Sequence, residues 1–340
     1  MKIGVIGLGK MGVQHAAIAR EFKATREVLG CEVLPQARAR AKRLGIASVG
    51  ELSALLAWKP DAVLVATHAS GHTAVIEPCL SAGIPVFTEK PLATTLADCR
   101  RLVALAARKK VQLQVGFELR FCGMTRAIKD ILGSGLVGKP LNLSLVQISG
   151  PHTPQEWQLK RVGGIFWEKL CHQVDYYRFW LGEPKRIMAI AGAKALKYTD
   201  LPDSVTSCME FPGGRMGTIT FMTTRSAQVG GTSDHGDRGH FYELCMTCTK
   251  GSLTACAWTE TLSVVRFNHR KDCRNELVDR FIIRDRYGEP SYDLRSEDFD
   301  FLQCVHDGRK LHFTAEDALQ SMEWVAKGER SLAQNGKWIS

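Results

Sequence analysis

Short apolar runs alternate with amphipathic stretches over the first 120 residues of the chain. Nearly continuous apolar runs are typical of strands that are buried on both faces of a parallel sheet. The clearest of them are Lys2–Ile6, Asp61–Thr67, Ile84–Thr88 and Val111–Gly116. The segments between them have helical periodicity, and one begins with the capping pair Thr95 and Asp98. This alternation predicts an α/β unit with a doubly wound parallel sheet.

The pattern changes after residue 120. A helix is predicted from about Ile165 to Leu181, and Gly182 is a normal residue to follow its end. Six strands then follow without intervening helices, which indicates a mostly antiparallel sheet. They are Arg186–Ala193, Ser204–Phe211, Arg215–Met222, His240–Thr247, Gly251–Trp258 and Leu262–Phe267. Two helical stretches close the chain, so we predict an N-terminal Rossmann domain over residues 1–120 and an open α+β domain over residues 121–340.

The first strand leads into residues 7–12, which read GLGKMG, and then into helical sequence. A G-x-G-x-x-G pattern between a strand and a helix is typical of dinucleotide binding. Gly7 allows a tight turn, Gly9 lets a pyrophosphate approach the backbone, and Gly12 lets the helix pack closely on the strand. The alternative is a glycine turn without a ligand.

The helix N-terminus after the glycines and an acidic residue further along the chain also support the dinucleotide interpretation. The amides of Lys10 and Met11 lie at the predicted helix N-terminus, where N–H groups and the helix dipole favour phosphate. Glu32 ends the next predicted strand, about twenty residues on, where an acid binds the ribose 2′-hydroxyl of NAD. Glu32 therefore predicts NAD over NADP. Arg38 is the counter-argument, because a nearby basic side chain could receive the 2′-phosphate.

Composition narrows the function classes. The chain has 340 residues, a formal net charge of +10 and 11 cysteines. Its densest basic run, 38–43, is interpreted as a solvated helix face, because a nucleic-acid patch would need a recognised fold or interleaved aromatics. Scattered cysteines and the lack of a visible signal peptide or membrane span lead us to expect a cytoplasmic protein that binds neither nucleic acid nor membrane. Cys245 and Cys248 would point to opposite faces of a strand, so we predict no metal site there.

Polar residues follow two of the predicted parallel strands at the edge where ligands bind in such sheets. The candidate cofactor contacts at this edge are Thr67, His68, His72, Glu89 and Lys90. The Lys90 ammonium could hydrogen-bond a reacting oxygen and stabilise developing negative charge. The alternative for Lys90 is a surface Lys-Pro turn.

Three polar residues on the helix near residue 170 form a second candidate group. Glu168, His172 and Asp175 are spaced i, i+4, i+7, which places them on one helix face. A neighbouring carboxylate would orient the imidazole and make His172 an acid–base group. The alternative is a solvated face with a hydrogen-bonded histidine. Arg120 and Trp157 are weaker candidates for substrate contacts, and Trp157 could equally serve packing or an oligomer contact.

Together these pieces resemble the Gfo/Idh/MocA oxidoreductases, the family of glucose–fructose oxidoreductase and inositol dehydrogenase. The resemblance rests on residues 7–12, the loop ending at His72, Glu89-Lys90-Pro91, Gly163-Gly164 with the Glu168, His172 and Asp175 group, and the late helix from Ala315. The family pattern usually has aspartate where this chain has Glu168. The resemblance implies NAD-dependent hydride transfer to or from sugars, cyclitols or related polyols, with Lys90, His172 and Glu168 as catalytic residues.

Three functions remain open at this point. The first is an NAD(H)-dependent dehydrogenase or reductase, and the second is a glycoside lyase or hydrolase that retains NAD through an internal redox cycle. The third is a dinucleotide-binding regulator, against which Lys90 and His172 argue because sensing needs neither. We also expect a homo-oligomer, because one face of the second sheet would expose Val, Ile, Leu, Phe and Met, and family members commonly bury that face between subunits.

Overall fold

The computed structural model describes residues 1–149, 163–194, 202–223, 240–268 and 274–340. Trp157 lies outside these ranges, so its predicted role as a substrate contact is left as a prediction.

Six strands form a fully parallel sheet in the order β3-β2-β1-β4-β5-β6. The strands are β1 Lys2–Ile6, β2 Glu27–Cys31, β3 Ala47–Val49, β4 Ala62–Val65, β5 Val86–Glu89 and β6 Leu113–Gly116. The helices between them are α1 Lys10–Glu21, α2 Pro35–Arg43, α3 Leu52–Ala57, α4 His72–Ser81 and α5 Leu96–Lys109. The strand order reverses between β1 and β4, and such a switch point opens a crevice at the carboxyl ends of the strands. The predicted Rossmann architecture is confirmed.

Burial explains why these segments became strands and helices. All four residues of β4 are fully buried, as expected for a strand with helices on both faces. The predicted cap also forms, since Thr95 Oγ1 accepts a hydrogen bond from the Asp98 N–H at 3.1 Å, at the start of α5. Leu64 and Phe87 of the sheet share their core with Phe301 from near the C-terminus.

A second sheet contains eight strands in the order β14-β13-β12-β11-β7-β10-β9-β8. Its neighbouring strands are antiparallel except for β7 and β10, which pair in parallel. The strands are β7 Pro140–Ser149, β8 Arg186–Ala191, β9 Ser204–Glu210, β10 Met216–Thr223, β11 His240–Cys248, β12 Gly251–Cys256, β13 Thr261–Arg266 and β14 Glu276–Ile282. The remaining helices are α6 Gly123–Gly133, α7 Cys171–Leu181, α8 Ile283–Tyr287, α9 Leu294–His306 and α10 Ala315–Ala333. The prediction of a mostly antiparallel sheet is confirmed, although β14 was not predicted.

The two faces of the second sheet differ in chemistry. Ile219, Leu244 and Leu253 are fully buried on one face. The opposite face mixes small polar or thiol side chains with apolar ones at half-buried or exposed positions. The first group includes Ser144, Thr206, Cys208, Thr218, Thr220, Cys245, Thr254 and Ser263, and the second includes Val146, Ile148, Met188, Ile190, Met216, Met222 and Val265. The face that was expected to expose large apolar residues therefore carries Val, Ile and Met among polar side chains, because alternation along the strands turns the buried residues of the sheet to the other face. The homo-oligomer stays a prediction.

The described chain divides into two units. One consists mainly of Met1–Phe117 and Leu294–Glu323, and the other mainly of Gly164–Asp293, Trp324–Ser340 and the segment that begins at Glu118. The domain boundary at residue 120 stays a prediction, and Leu294–Glu323 groups with the N-terminal residues. In the first unit the rings of Phe87 and Phe301 lie 5.8 Å apart.

The described cysteines are all free thiols. Cys245 is exposed and Cys248 is buried, as predicted for residues on opposite faces of a strand. Among the residues that the structure describes, no helix has the length and apolar character needed to cross a bilayer.

The position of Phe301 leads to a first prediction. Phe301→Ala should lower the free energy of unfolding by about 3–5 kcal/mol, because it removes a fully buried ring from the core of the first unit. Phe299→Ala, two residues earlier on α9 and only partly buried, is the matched control and should cost less. Urea titration followed by circular dichroism measures both. Equal losses from the two variants would contradict the assignment of Phe301 to this core.

Candidate active site

The glycine loop between β1 and α1 is shaped to admit a ligand. Gly7 has φ +88°, and a Cβ there would lie 2.7 Å from the Ala66 carbonyl oxygen. A Cβ at Gly12 would collide with the Gly7 carbonyl oxygen, so only glycine lets α1 pack this closely. A Cβ at Gly9 would instead meet no atom within 4 Å. The backbone at Gly9 thus faces open space, which fits the pyrophosphate of a dinucleotide.

The start of α1 has the features of an anion site. The helix begins at Lys10 with Gly9 as its N-cap, and the Val13 N–H donates to the Gly9 carbonyl oxygen at 3.1 Å. The amides of Lys10 and Met11 therefore belong to the first turn, ahead of the intrahelical hydrogen bonds. Lys10 is exposed and Met11 is half-buried, so both predicted contacts lie at the surface of this loop.

Glu32 lies beside the glycine loop, as predicted. Its Oε2 accepts from the Leu8 N–H at 2.9 Å, and its Oε1 accepts from the Leu34 N–H at 2.9 Å. These bonds fix the carboxylate next to the loop, where a ribose attached to the pyrophosphate would lie. Arg38 donates from Nη1 to the carbonyl oxygens of Glu32 at 2.7 Å and Val33 at 3.0 Å. Its guanidinium is held against the backbone, which weakens the argument that it serves a 2′-phosphate.

His72 connects the two loops at the ends of β4 and β5. Its side chain is fully buried, with Nδ1 2.9 Å from the Pro91 carbonyl oxygen and Nε2 3.3 Å from the Thr67 carbonyl oxygen. Burial lowers the pKa of His72, so the ring is neutral at pH 7. The buried His72 side chain joins the two loops through these contacts, and its predicted contact with the cofactor stays a prediction. Thr67 is half-buried and His68 exposed.

Glu89 and Lys90 follow at the carboxyl end of β5. Glu89 is the last residue of the strand, and its Oε2 accepts from the Lys90 N–H at 3.2 Å. Lys90 is half-buried. The pair thus occupies the sheet edge that the sequence predicted for it.

In the second unit, a 3₁₀ turn at Glu118–Arg120 supplies two charges to α7. His172 Nδ1 lies 3.0 Å from Glu118 Oε2, and both side chains are close to fully buried. Arg120 donates from Nε and Nη2 to the two Asp175 carboxylate oxygens at 2.6 and 2.7 Å. The turn therefore places a carboxylate against the histidine and a guanidinium against the aspartate.

The pairing of Arg120 with Asp175 bears on their predicted role as substrate contacts. Asp175 is only 1 % exposed, and the Arg120 guanidinium also lies 5.1 Å from the centre of the Phe179 ring. The two residues bind each other in a bidentate pair, which is the strongest form of such a contact. Their pairing joins α7 to the turn, and their predicted contacts with the substrate stay predictions.

Glu168 does not lie on a regular helix with His172. Phe166–Leu170 forms a π-helical turn, and α7 begins only at Cys171. The i, i+4 spacing therefore does not have its α-helical geometry across this junction. Glu168 is half-buried, and its Oε1 lies 3.9 Å from Lys169 Nζ. Its predicted role beside His172 stays a prediction.

Glu118 is the residue that sequence reasoning missed. It is the second residue after β6, at the carboxyl end of a parallel strand, and it precedes the Arg120 that was singled out. Its position after the strand is one at which the sequence could have identified it as a candidate site residue. What the sequence could not show is that the chain turns there and brings the carboxylate to His172.

A buried polar chain holds α7 on the second sheet. Gln173, next to His172, donates from Nε2 to Gln147 Oε1, and Gln147 Nε2 donates to the Tyr242 hydroxyl at 3.0 Å. All three side chains are buried. Since buried amides are costly without partners, this chain fixes the rotation of α7 about its axis and thereby the direction of His172.

Comparison with known proteins agrees with this geometry. Residues 1–117 match the family model described as an oxidoreductase family with an NAD-binding Rossmann fold. Residues 125–254 match the model of the GFO/IDH/MocA C-terminal domain. The inositol 2-dehydrogenase of Rhodococcus erythropolis is 30 % identical over 252 residues, which cover 70 % of each chain. The chain belongs to the Gfo/Idh/MocA family of oxidoreductases.

One further sequence relative and one solved structure are similar to this chain over most of its length. The myo-inositol 2-dehydrogenase of Thermotoga maritima is 29 % identical over 234 residues, which cover 64 % of this chain and 67 % of that protein. The solved structure of an NAD-binding oxidoreductase from Klebsiella pneumoniae superposes with a TM-score of 0.81 at 21 % identity, covering 100 % of this chain and 98 % of that one. That structure supports the fold alone. In this Gfo/Idh/MocA chain, residues 1–117 form the NAD-binding domain.

The glycine loop generates a paired prediction. Gly9→Ala should weaken NAD binding with little change in thermal stability, because its methyl group enters open space that the pyrophosphate would occupy. Gly12→Ala should lower stability as well as NAD binding, because its methyl group collides with the Gly7 carbonyl. Thermal unfolding and NAD titration by fluorescence measure the two effects. Unchanged NAD affinity in a folded Gly9→Ala protein would contradict this placement of the pyrophosphate.

Glu32 generates a prediction on cofactor choice. A hydrogen bond to a charged group contributes roughly 1.5–3 kcal/mol, so kcat/KM should favour NAD over NADP by about ten- to hundredfold. Glu32→Ser should narrow that ratio, and Glu27→Gln, an exposed acid at the opposite end of β2, should leave it unchanged. A comparable kcat/KM of the wild-type enzyme with NAD and NADP would show that Glu32 does not discriminate between the two cofactors.

Proposed function

We propose that this protein is an NAD-dependent dehydrogenase that exchanges hydride with a CH–OH group of a cyclitol or a related sugar. The observation that carries the proposal is the His172–Glu118 pair, an imidazole set against a carboxylate at 3.0 Å on the helix that follows the family's cofactor domain. A regulator that only senses the cofactor needs no such pair. The inositol dehydrogenases among the relatives support a cyclitol as the first substrate to test.

The His172–Glu118 geometry suits removal of a proton from a hydroxyl. In this proposal the neutral ring carries its proton on Nδ1, the nitrogen that lies 3.0 Å from the Glu118 carboxylate. The lone pair is then on Nε2, which is the nitrogen that would accept the hydroxyl proton in oxidation and return it in reduction. Glu118 also stabilises the imidazolium that forms. When bound, NAD supplies the hydride acceptor for the same carbon.

Lys90 is the second group in the proposal. Its ammonium is a hydrogen-bond donor at the carboxyl end of β5, where ligands bind in sheets of this type. Donation to the reacting oxygen would stabilise the negative charge that develops as the proton leaves. Lys90 therefore orients the oxygen, while His172 carries the proton.

A substrate panel tests the activity. Purified protein is incubated with NAD or NADP and with myo-inositol, other cyclitols and common aldoses, and absorbance at 340 nm is followed. We expect NADH formation with at least one cyclitol or sugar. Turnover of a glycoside without added cofactor and without net absorbance change would instead favour the NAD-retaining cycle, and binding of NAD with no turnover of any kind would contradict an enzyme.

Site variants give the mechanistic prediction. His172→Ala should lower kcat by about 10²–10⁴-fold, the typical contribution of general acid–base catalysis, with NAD affinity nearly intact. Lys90→Ala should lower kcat by at least as much. Glu118→Gln should lower kcat by less, because it keeps a side chain of similar size without the charge. Steady-state kinetics and NAD titration on each variant make the comparison.

His306→Ala is the control, since His306 is an exposed histidine outside the proposed site. Exogenous imidazole should partly restore activity to His172→Ala, as it supplies the missing base. If His172→Ala kept near-wild-type kcat on the true substrate, Lys90 would become the leading candidate for the base.

A further inference from the structure

A fully buried histidine in the first unit lies between two carboxylates. His15 Nδ1 is 2.9 and 2.8 Å from the two oxygens of Asp298, and its Nε2 is 3.1 Å from Glu89 Oε1. The three residues come from three elements: His15 from α1, Glu89 from the end of β5 and Asp298 from α9. The His15 ring also lies 5.5 Å from the ring of Phe87, which helps to exclude water.

The charges of this cluster follow from its geometry. Burial alone lowers the pKa of His15, but the charge and hydrogen bond of Asp298, and then those of Glu89, outweigh it and raise the pKa to about 10. Both ring nitrogens of an imidazolium donate, which matches carboxylates on both sides. Burial by itself raises the pKa of Glu89, but the hydrogen bond and charge of His15, together with the electrostatic interactions of Lys90 and His72, outweigh it and lower that pKa. His15 is therefore a buried cation at neutral pH.

Glu89 connects this cation to Lys90. One carboxylate oxygen of Glu89 faces His15, and the other accepts from the Lys90 N–H at 3.2 Å. The chain of contacts thus runs from Asp298 through His15 and Glu89 to the backbone at Lys90. The observed rotamer of Glu89 satisfies both partners, and the contact with the histidine holds the carboxylate in that direction.

We propose that His15 is a positioning residue for Lys90, acting through Glu89 and anchored by Asp298. The inference rests on the proposed function in one respect, namely that Lys90 takes part in the reaction. The glycine-loop helix, the Lys90 loop and α9 then share one buried ion cluster, and α9 becomes part of the machinery that holds the lysine although it lies about 200 residues away along the chain.

The first experiment measures kcat and NAD affinity. His15→Gln keeps a donor toward Glu89 but removes the cation, and His15→Leu removes both. We expect kcat to fall by roughly ten- to hundredfold in His15→Leu, because small displacements of a catalytic group cost about that much, and by less in His15→Gln. The NAD dissociation constant should change little, since His15 lies outside the glycine loop.

A double-mutant cycle separates positioning from general destabilisation. In a Lys90→Ala background, the loss of kcat caused by His15→Gln should disappear, because the group that His15 positions is already gone. A merely structural role would lower kcat by the same factor in both backgrounds. His312→Leu is the matched control: His312 pairs with Asp300 of the same helix α9 at 2.6 Å, but its side chain is 63 % exposed, and kcat should not change.

Stability against pH gives a readout that needs no substrate. His15 is raised from an unfolded pKa near 6.5 to about 10, so its contribution to stability is complete below pH 6.5 and declines as the pH rises toward 10. The groups that face it are Glu89 and Asp298. Wild-type protein should therefore lose unfolding free energy over this range, and His15→Gln should lose less. Urea titrations at a series of pH values measure the difference.

The outcomes distinguish this inference from the proposed function. If Lys90→Ala retains wild-type kcat, the proposed role of Lys90 fails and this inference fails with it. If Lys90→Ala loses activity while a folded His15→Gln and Asp298→Asn keep full kcat, only the positioning role of His15 is overturned. If His15→Leu does not fold, His15→Gln and Asp298→Asn decide the question.

Discussion

The parallel pairing of six strands is the constraint on which the first unit depends. Parallel strands end at one edge, so the loops that follow β1, β2, β4 and β5 all leave the sheet on the same side. The glycine loop and Glu32 begin directly after a strand, Thr67 is the second residue after β4, and Glu89 and Lys90 are the last residue of β5 and the first beyond it. The ladder hydrogen bonds fix those ends, which is why a few short loops can form a cofactor site with little structure of their own.

In both units, buried charged side chains are paired with side chains of opposite charge. In the first, His15 lies between Asp298 and Glu89, and in the second, the Glu118–Arg120 turn pairs with His172 and Asp175. An isolated buried charge is costly, so each group is retained only with a partner in place. Removing one partner of such a pair is strongly destabilising, and the intact pairs fix the directions of their side chains. Both clusters end on a residue of the proposed chemistry, Lys90 in one unit and His172 in the other.

The second unit positions its histidine by packing as well as by charge. Tyr177 of α7 donates its hydroxyl to the Thr218 carbonyl oxygen of β10 at 2.6 Å, and a Cβ at Gly217 would collide with the Tyr177 ring. The helix therefore lies close to the sheet at a point where glycine is required. Together with the Gln173–Gln147–Tyr242 chain, these contacts hold α7 against the sheet. In this orientation of the helix, His172 lies 3.0 Å from Glu118.

The sequence by itself determined the glycine loop, the acid after β2, the alternation of strands and helices expected of a Rossmann unit and the antiparallel character of the second sheet. These features are encoded locally, in apolar periodicity and in glycines at positions where a side chain would collide. The partners of the polar residues were not encoded locally. Glu168 stood at helical spacing from His172, but a π-helical turn interrupts that spacing and Glu118 supplies the carboxylate at Nδ1. His15 and Asp298 are separated by 283 positions, and only the packing of α9 against α1 brings their charges together.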